Sequence, residues 1–234
     1  MKTKKPFPNS NSPIDDKDIA SLNEQFKPLP PIERIKLLYH LFDVKSILYT
    51  SSFGTKSALL LYWISNLQAA QKIHFLDTGY HFEETLRYKD ALVQSLNLEV
   101  VHLKPETTAH QATLEAEMWK NNTSKCCYIN KVVPLELVKL DYDIWISGLM
   151  AYQTPFRRNL EVFEKKDNIL KFYPLIDLSE SDFNTAYQAT NLPPHPLEVL
   201  GYHSIGCLHC TQRGKGRSGR WSRSSKTECG LHFN

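Results

Sequence analysis

Five cysteines are the residues of this chain best suited to chemistry, and their spacing sorts them. Cys126 and Cys127 are adjacent, Cys207 and Cys210 form a CxxC pair, and Cys229 stands alone in KTECGLH near Asn234. Neighbouring residues almost never bridge one another, because their Cα atoms are too close for an unstrained disulfide. A CxxC pair is a two-ligand bite for zinc or for an iron–sulfur cluster. The adjacent pair suits a cluster better than a zinc finger, whose paired ligands are normally set further apart. Together the two pairs would staple the C-terminal segment to the core; the alternative is two inert thiols beside a redox CxxC. The remaining Cys229 suits a nucleophile. Lys226, His232 and nearby arginines would favour its thiolate and Glu228 would oppose it, the alternative being an incidental surface thiol.

Three polar stretches suit anions. In TSSFGTKS (50–57), Ser51, Ser52, Gly54, Lys56 and Ser57 lie between an apolar run and a helical one. Hydroxyls and free N–H groups at a helix start bind phosphate or sulfate. The spacing of a Walker A loop is absent, and an ordinary capped turn is the competing reading. In FLDTGYH, Asp77, Thr78 and Gly79 would end a strand, where a carboxylate can hold a ribose hydroxyl or cap a helix. QTPFRRN carries Arg157 and Arg158, whose guanidinium forks match phosphate and sulfate oxygens; a solvated charge pair is the bland alternative.

These stretches need a scaffold, and the hydrophobic pattern supplies one. Strands are expected at 46–50, 72–77, 98–103 and 143–148, with a further one at 169–175. Helical periodicity fills 55–70, 82–97 and a stretch near 107–120, after two N-terminal helices at 19–26 and 30–42. Alternating strands and helices make βαβ units, hence a doubly wound parallel sheet of α/β class. Ligands bind such sheets at the carboxyl ends of the strands. One more helix is expected at 179–191, capped by Ser179, before PPHP breaks the chain. Residues 1–17 read as disordered, 18–205 as the nucleotide-binding α/β domain and 206–234 as a mobile basic tail without apolar periodicity. The 234 residues carry a net charge of +3, too weak a bias to argue for nucleic acid. MKTKKPFPNSNSP lacks the apolar run of a signal peptide, and no stretch approaches a membrane span. A cytoplasmic, reducing location is therefore expected, where cysteines serve as ligands or catalysts.

The motifs together resemble the assimilatory sulfonucleotide reductases, the adenylyl-sulfate and phosphoadenylyl-sulfate reductase family. The resemblance runs from about Ser46 to His232 and rests on SSFG, LDTG, CC with KVVPL, GYHSIGCLHCT, GRW and KTECGLH. It implies a sheet of the adenine-nucleotide α-hydrolase type and one [4Fe–4S] cluster on Cys126, Cys127, Cys207 and Cys210. Cys229 would attack the sulfur of adenylyl sulfate, releasing AMP and leaving an S-sulfocysteine. Thioredoxin or glutaredoxin, supplied from outside because the chain ends without a thioredoxin-like domain, would then release sulfite. Arg157, Arg220 and Lys131 would steady the phosphate and sulfate charge, and a tail that closes and opens would serve both steps.

Departures from the family pattern are Met150 and Ala151, where one or two arginines are usual, Asn130 in place of an arginine, and a short linker between CxxC and GRW. All four cluster cysteines favour adenylyl sulfate. SSFG resembles the branch that uses the 3′-phosphorylated substrate, and Lys56 could hold the extra phosphate, so dual use stays open, as does homo-oligomerisation. The competing functions are an ATP-using enzyme of the same fold and a zinc-stabilised nucleic-acid-binding module.

Overall fold

The computed structural model describes residues 15–166, 169–222 and 226–232. The expected disorder at 1–17 falls outside them up to residue 14. Asp15 is instead the cap of helix α1 (Asp16–Phe26): its carboxylate accepts from the Lys17 and Asp18 amides at 2.9 Å, and Asp18 accepts from the Asp15 amide at 3.0 Å. Pro31 opens α2 (Pro31–Leu41), where its missing N–H costs nothing.

The sheet contains β1 (Ile47–Ser51), β2 (Ile73–Leu76), β3 (Val100–Leu103), β4 (Ile144–Ile146), β5 (Phe163–Lys166) and β6 (Ile169–Phe172). Its order is β3-β2-β1-β4-β6-β5, parallel throughout except for β5, which runs antiparallel to β6 at the edge. The sequence reading lacked β5, because FEKK has too few apolar residues to stand out; pairing with β6 makes the strand. Between β1 and β4 the connections turn from one direction across the sheet to the other, and a crevice opens there at the carboxyl ends.

Strand alternation divides the core unequally. Ile47, Tyr49, Ile73, Phe75, Ile144, Ile146, Leu170 and Phe172 face the main core. That face is covered by α1, α2, α3 (Ala58–Leu67), α4 (Glu83–Leu96) and α9 (Glu180–Gln188). The opposite face carries Leu48, Leu76, Trp145 and Ile169, and packs against Leu135 of α8 (Val133–Lys139) and against Leu231 from the far end of the chain. Between β3 and β4 the chain forms α5 (Thr107–Glu115), α6 (Met118–Asn121), α7 (Thr123–Cys127), a π turn at Tyr128–Val132 and then α8. The π turn adds a residue to the helical repeat and redirects Asn130 and Lys131 inward, both buried.

PPHP is an anchor as well as a breaker. Buried His195 bonds the Thr85 hydroxyl at 3.1 Å, and the Tyr88 hydroxyl donates to the Pro193 carbonyl at 3.0 Å. Among the described residues beyond Gly206 the only helical turn is the 3-10 turn Leu208–Cys210, yet the segment is tied down. Thr211 bridges Arg220, the Gln212 amide donates to the Gly219 carbonyl at 2.8 Å, and the Trp221 amide donates to the Cys210 carbonyl at 3.0 Å. Gly219 is required there, since a Cβ would lie 2.1 Å from the Gln212 carbonyl oxygen.

Candidate active site

The crevice holds a cavity of about 350 Å³. Ser51, Ser52, Gly54, Lys56 and Ser57 line one side. The Ser51 hydroxyl accepts from the Phe53 amide at 3.2 Å, turning the chain so that Phe53, buried, takes the left-handed conformation at φ 48°. Such a backbone costs energy outside glycine and persists only where its surroundings impose it; here edge contact with Phe75, 5.6 Å between rings, helps to hold it. The start of α3 has no side-chain cap from Ser57, so its first N–H groups are left for a ligand. Lys56 pairs with Glu198 at 3.1 Å and lies over the Phe183 ring.

At the end of β2 the expected trio separates. Thr78 lines the cavity, whereas Asp77 and Gly79 do not. Asp77 accepts from the His102 ring at 2.9 Å and from the Gly79 amide at 3.3 Å. Burial alone would raise its pKa, but these bonds and the nearby histidines more than offset that and hold it below the usual carboxylate range. Gly79, at φ 71°, makes room for His110, whose Nε2 would lie 2.9 Å from a Cβ there. His81 lines the cavity as a neutral ring, pushed down to about 4 by burial and by Lys131.

Lys131, Arg157, Arg217, Arg220 and Cys229 converge on the other side of the cavity. Arg220 stacks on Trp221 at 4.3 Å and donates to the Ile205 carbonyl at 3.0 Å. Its path explains Gly206, where a Cβ would fall 2.2 Å from the guanidinium. Arg157, expected to face an anion, is bound to one within the protein. Its Nε and Nη2 donate to the two carboxylate oxygens of Glu228 at 2.7 and 2.8 Å, with both side chains buried. Arg158 does not line the cavity. His232, counted from sequence as a positive neighbour of the thiolate, is buried, which drives it well below its ordinary value. It stacks, neutral, on Trp145 at 4.8 Å with the rings 4° apart.

The remaining four cysteines gather beside the cavity, all of them free thiols. Cys126, Cys207 and Cys210 share one small cluster with Tyr80, Met118 and Trp119. Burial and the other cysteines push Cys126 up to about 12 and Cys210 up to about 11. Cys207 goes the other way: burial raises it, but Lys131, the Thr78 hydroxyl at 3.4 Å from its sulfur and Arg220 together lower it. Lys131 in turn is held above its ordinary value: burial lowers it, but the nearness of the Cys207, Cys127 and Cys229 sulfurs outweighs that. Among the described residues no group of three or more His, Cys, Asp or Glu closes on a single metal ion. A four-iron cubane takes one thiolate at each of four corners, a wider arrangement, and it binds the deprotonated form that crowding makes unfavourable here. Cys126, Cys207 and Cys210 share one cluster and Cys127 adjoins Cys126, so the four side chains are of the kind that could hold such a group.

The unusual residues are absorbed by the fold. Met150 is wholly buried in the main core. Asn130, also buried, pairs with the His110 ring at 2.7 Å and donates to Thr113 at 3.1 Å and to the Cys126 carbonyl at 2.9 Å. Sequence reasoning missed Trp145, Ser147, Arg217 and the engagement of Glu228. The alternation of DIWISG puts Trp145 opposite Ile144 and Ile146, a signal available in sequence; nothing local marks Arg217 among its basic neighbours.

Residues 46–213 match the family described as the phosphoadenosine phosphosulfate reductase domain. Proteins named adenosine 5′-phosphosulfate reductase are similar over most of the chain. That of Mesorhizobium japonicum is 38% identical, covering 92% of this chain and 86% of the relative. That of Staphylococcus epidermidis is 38% identical, covering 86% of each. Among solved structures, the phosphoadenylyl-sulfate reductase of Candida auris in a phosphate complex superposes with TM-score 0.70 at 22% identity, covering 84% of this chain and 97% of that one. The FMN adenylyltransferase of Candida glabrata superposes at 0.55 with 16% identity, covering 87% and 70%, so the sheet is shared with adenine-nucleotide enzymes. A hydroxyl-lined loop at a bare helix start, a ring of cations and a thiol on one cavity agree with these likenesses, and the chain belongs to the phosphoadenosine phosphosulfate reductase family, the sulfonucleotide reductases.

Proposed function

We propose that the protein reduces adenylyl sulfate to sulfite and AMP, with Cys229 as the nucleophile. The observation that carries this is the placing of Cys229 on the same cavity as the Ser51–Ser57 loop, Lys131 and Arg220. The names of the relatives and the state of Lys56, already paired with Glu198, favour adenylyl sulfate over its 3′-phosphorylated form.

The nucleotide's phosphate is expected at the start of α3 and its sulfate toward Lys131 and Arg220, whose positive charge opposes the build-up of negative charge on the leaving phosphate. The thiolate attacks sulfur, the bond from sulfur to the phosphate oxygen breaks with its electron pair on that oxygen, and AMP leaves. The sulfonate stays on Cys229 as an S-sulfocysteine. A dithiol protein of the thioredoxin or glutaredoxin class then attacks the Cys229 sulfur. Sulfite departs with the bonding pair, and the second thiol of the partner resolves the mixed disulfide, so that one dithiol is oxidised per sulfate reduced. That second attack needs Cys229 exposed, and the segment from Gly206 on is the part that would open.

Cys126, Cys127, Cys207 and Cys210 would hold one [4Fe–4S] cluster. When bound, it would supply a polarisable charge, and Lys131 is close to two of the sulfurs that would hold it. Lys131 is suited to link that charge to the substrate's, since it already answers to Cys207, Cys127 and Cys229 together. Five free thiols suit a reducing compartment, the cytoplasm in this reading. Among the described residues no helix is long and apolar enough to cross a membrane.

The test is incubation of anaerobically purified protein with adenylyl sulfate and no reductant. One sulfonate should appear on the peptide containing Cys229, thioredoxin should remove it, and Cys229→Ser should keep its colour and form no sulfite. An adduct on another cysteine, or normal sulfite release by the variant, would sink the proposal.

A further inference from the structure

Glu228 is the residue of the tail whose contacts the chemistry above leaves unused. Its side chain is 2% exposed, although it belongs to a segment with no regular structure. Each carboxylate oxygen is met twice. Oε1 accepts from Arg157 Nε at 2.7 Å and from the Thr154 hydroxyl at 2.9 Å. Oε2 accepts from Arg157 Nη2 at 2.8 Å and from Arg217 Nη2 at 3.4 Å. Thr154 and Arg157 lie on the turn that follows β4, not on the tail. They are organised without it: the Arg157 amide donates to the Thr154 hydroxyl at 3.3 Å, and Arg157 Nη1 bonds Gln153. A preformed receiver on the body of the protein thus takes a carboxylate from the tail, one residue before the nucleophile. Near Cys229 the tail is also held by Leu231 and Cys229 itself packing with Leu48 and Trp145, by the His232 stack, by Arg217 donating to the Thr227 carbonyl at 3.1 Å, and by a long contact of 3.4 Å from Lys226 to Ser124.

We propose that Glu228 is the latch that seats Cys229 in the cavity, with Thr154 and Arg157 as its receiver. The proposal rests on the reading of Cys229 as the nucleophile, and it divides the cations. Arg157 serves the protein's own carboxylate, leaving Lys131 and Arg220 to the substrate's anionic groups. A fork that grips a carboxylate through two parallel bonds fixes direction as well as distance. It can therefore fix the direction of the neighbouring thiol toward the cavity, which the apolar contacts of Leu231 and the His232 stack do not specify. Glu228 acts through Cys229 and is a positioning residue. A buried pair of this kind could equally be ordinary glue; that alternative places its whole effect on global stability and none on the exposure of Cys229 in the folded protein.

The experiment measures alkylation of Cys229 by iodoacetamide in nucleotide-free, anaerobic holoenzyme, read by peptide mass spectrometry, alongside the thermal midpoint and AMP affinity. Glu228→Gln keeps the shape and removes the charge. Cys229 should be alkylated at least about tenfold faster than in the wild type, as expected when a closed state loses its main polar hold. The midpoint should fall, because Arg157 loses its buried counter-charge, but by less than the rise in alkylation would need if global unfolding exposed the thiol; AMP affinity should stay at the wild-type value, and adduct formation with adenylyl sulfate should slow through kcat. Glu228→Asp, one methylene short of the receiver, should fall between the two. Should Glu228→Gln not fold, Thr154→Val and Arg157→Lys weaken the receiver from the other side and should raise alkylation in the same direction. Wild-type alkylation rates in folded variants overturn the latch, as does a rise explained entirely by a lower midpoint. Alkylation requires neither nucleotide nor reductant. Fast alkylation of the variants beside a wild type that makes no sulfite would thus reject the reductase reading and keep the latch, whereas wild-type alkylation rates in the variants with intact sulfite release would do the reverse.

Discussion

Replacement of Glu198 by glutamine should widen substrate choice. Lys56 is a cation of the Ser51–Ser57 loop, and its Nζ lies 3.1 Å from Glu198 Oε1 with the two side chains 24% and 26% exposed. A ligand carrying a 3′-phosphate near Lys56 must share that ammonium with Glu198 and meet the carboxylate's repulsion; Glu180, also on the cavity, adds to it. At an effective dielectric of about 20, unit charges 4 Å apart interact by about 4 kcal/mol. Partial exposure and screening cut this to about 1–2 kcal/mol. Glu198→Gln should therefore raise kcat/KM for phosphoadenylyl sulfate relative to adenylyl sulfate by about 5- to 30-fold, while the value for adenylyl sulfate itself changes little. Sulfite release with each substrate gives the ratio. Competition between AMP and adenosine 3′,5′-bisphosphate gives the binding part without turnover. Lys56→Met in the glutamine background should cancel the gain. A ratio within twofold of wild type in the folded variant, or a gain that survives loss of Lys56, would refute the reasoning.

Serine at Cys126, Cys127, Cys207 or Cys210 should bleach the anaerobically purified protein and lower its iron and sulfide content, measured directly; full iron and sulfide in all four variants would contradict the ligand assignment. Asp77→Ala should leave AMP affinity within about twofold by calorimetry, because the carboxylate lies outside the cavity and serves His102 and Gly79. Arg34→Ala should destabilise the fold by about 3 kcal/mol, a fall of roughly 6–12 °C in Tm. Arg34 is buried, pairs with Asp177 at 2.6 Å, and donates to the carbonyls of Phe26, Lys27 and Pro174, which would lose those bonds.

Much of the scaffold is written in short-range patterns. Strands β1 to β4 and β6 and the long helices α1 to α4 are legible because each repeats at its own period, and burial of one face enforces that period. The grouping of the cysteines is legible for a different reason: two pairs and a singlet is information carried by residue type and spacing, which folding does not alter. The hydroxyls and Lys56 after β1 are legible because a strand's carboxyl end and a helix's start meet there whatever else the chain does. Other features depend on partners far away in sequence. β5 exists through β6, and the inward turn of Asn130 and Lys131 depends on a π turn that no local motif announces. Asp77 sits at the right strand end, but its side chain points to His102 on the next strand, and only the packed sheet sets that direction. Arg157 and Glu228 are 71 residues apart. Read singly, one is an anion-binding arginine and the other an unfavourable neighbour for a thiolate; brought together in a dry pocket, each becomes the other's counter-charge. Direction and pairing of polar side chains follow from tertiary contacts, because the energy of a buried charge is set by what lies within a few ångströms of it and not by its neighbours along the chain.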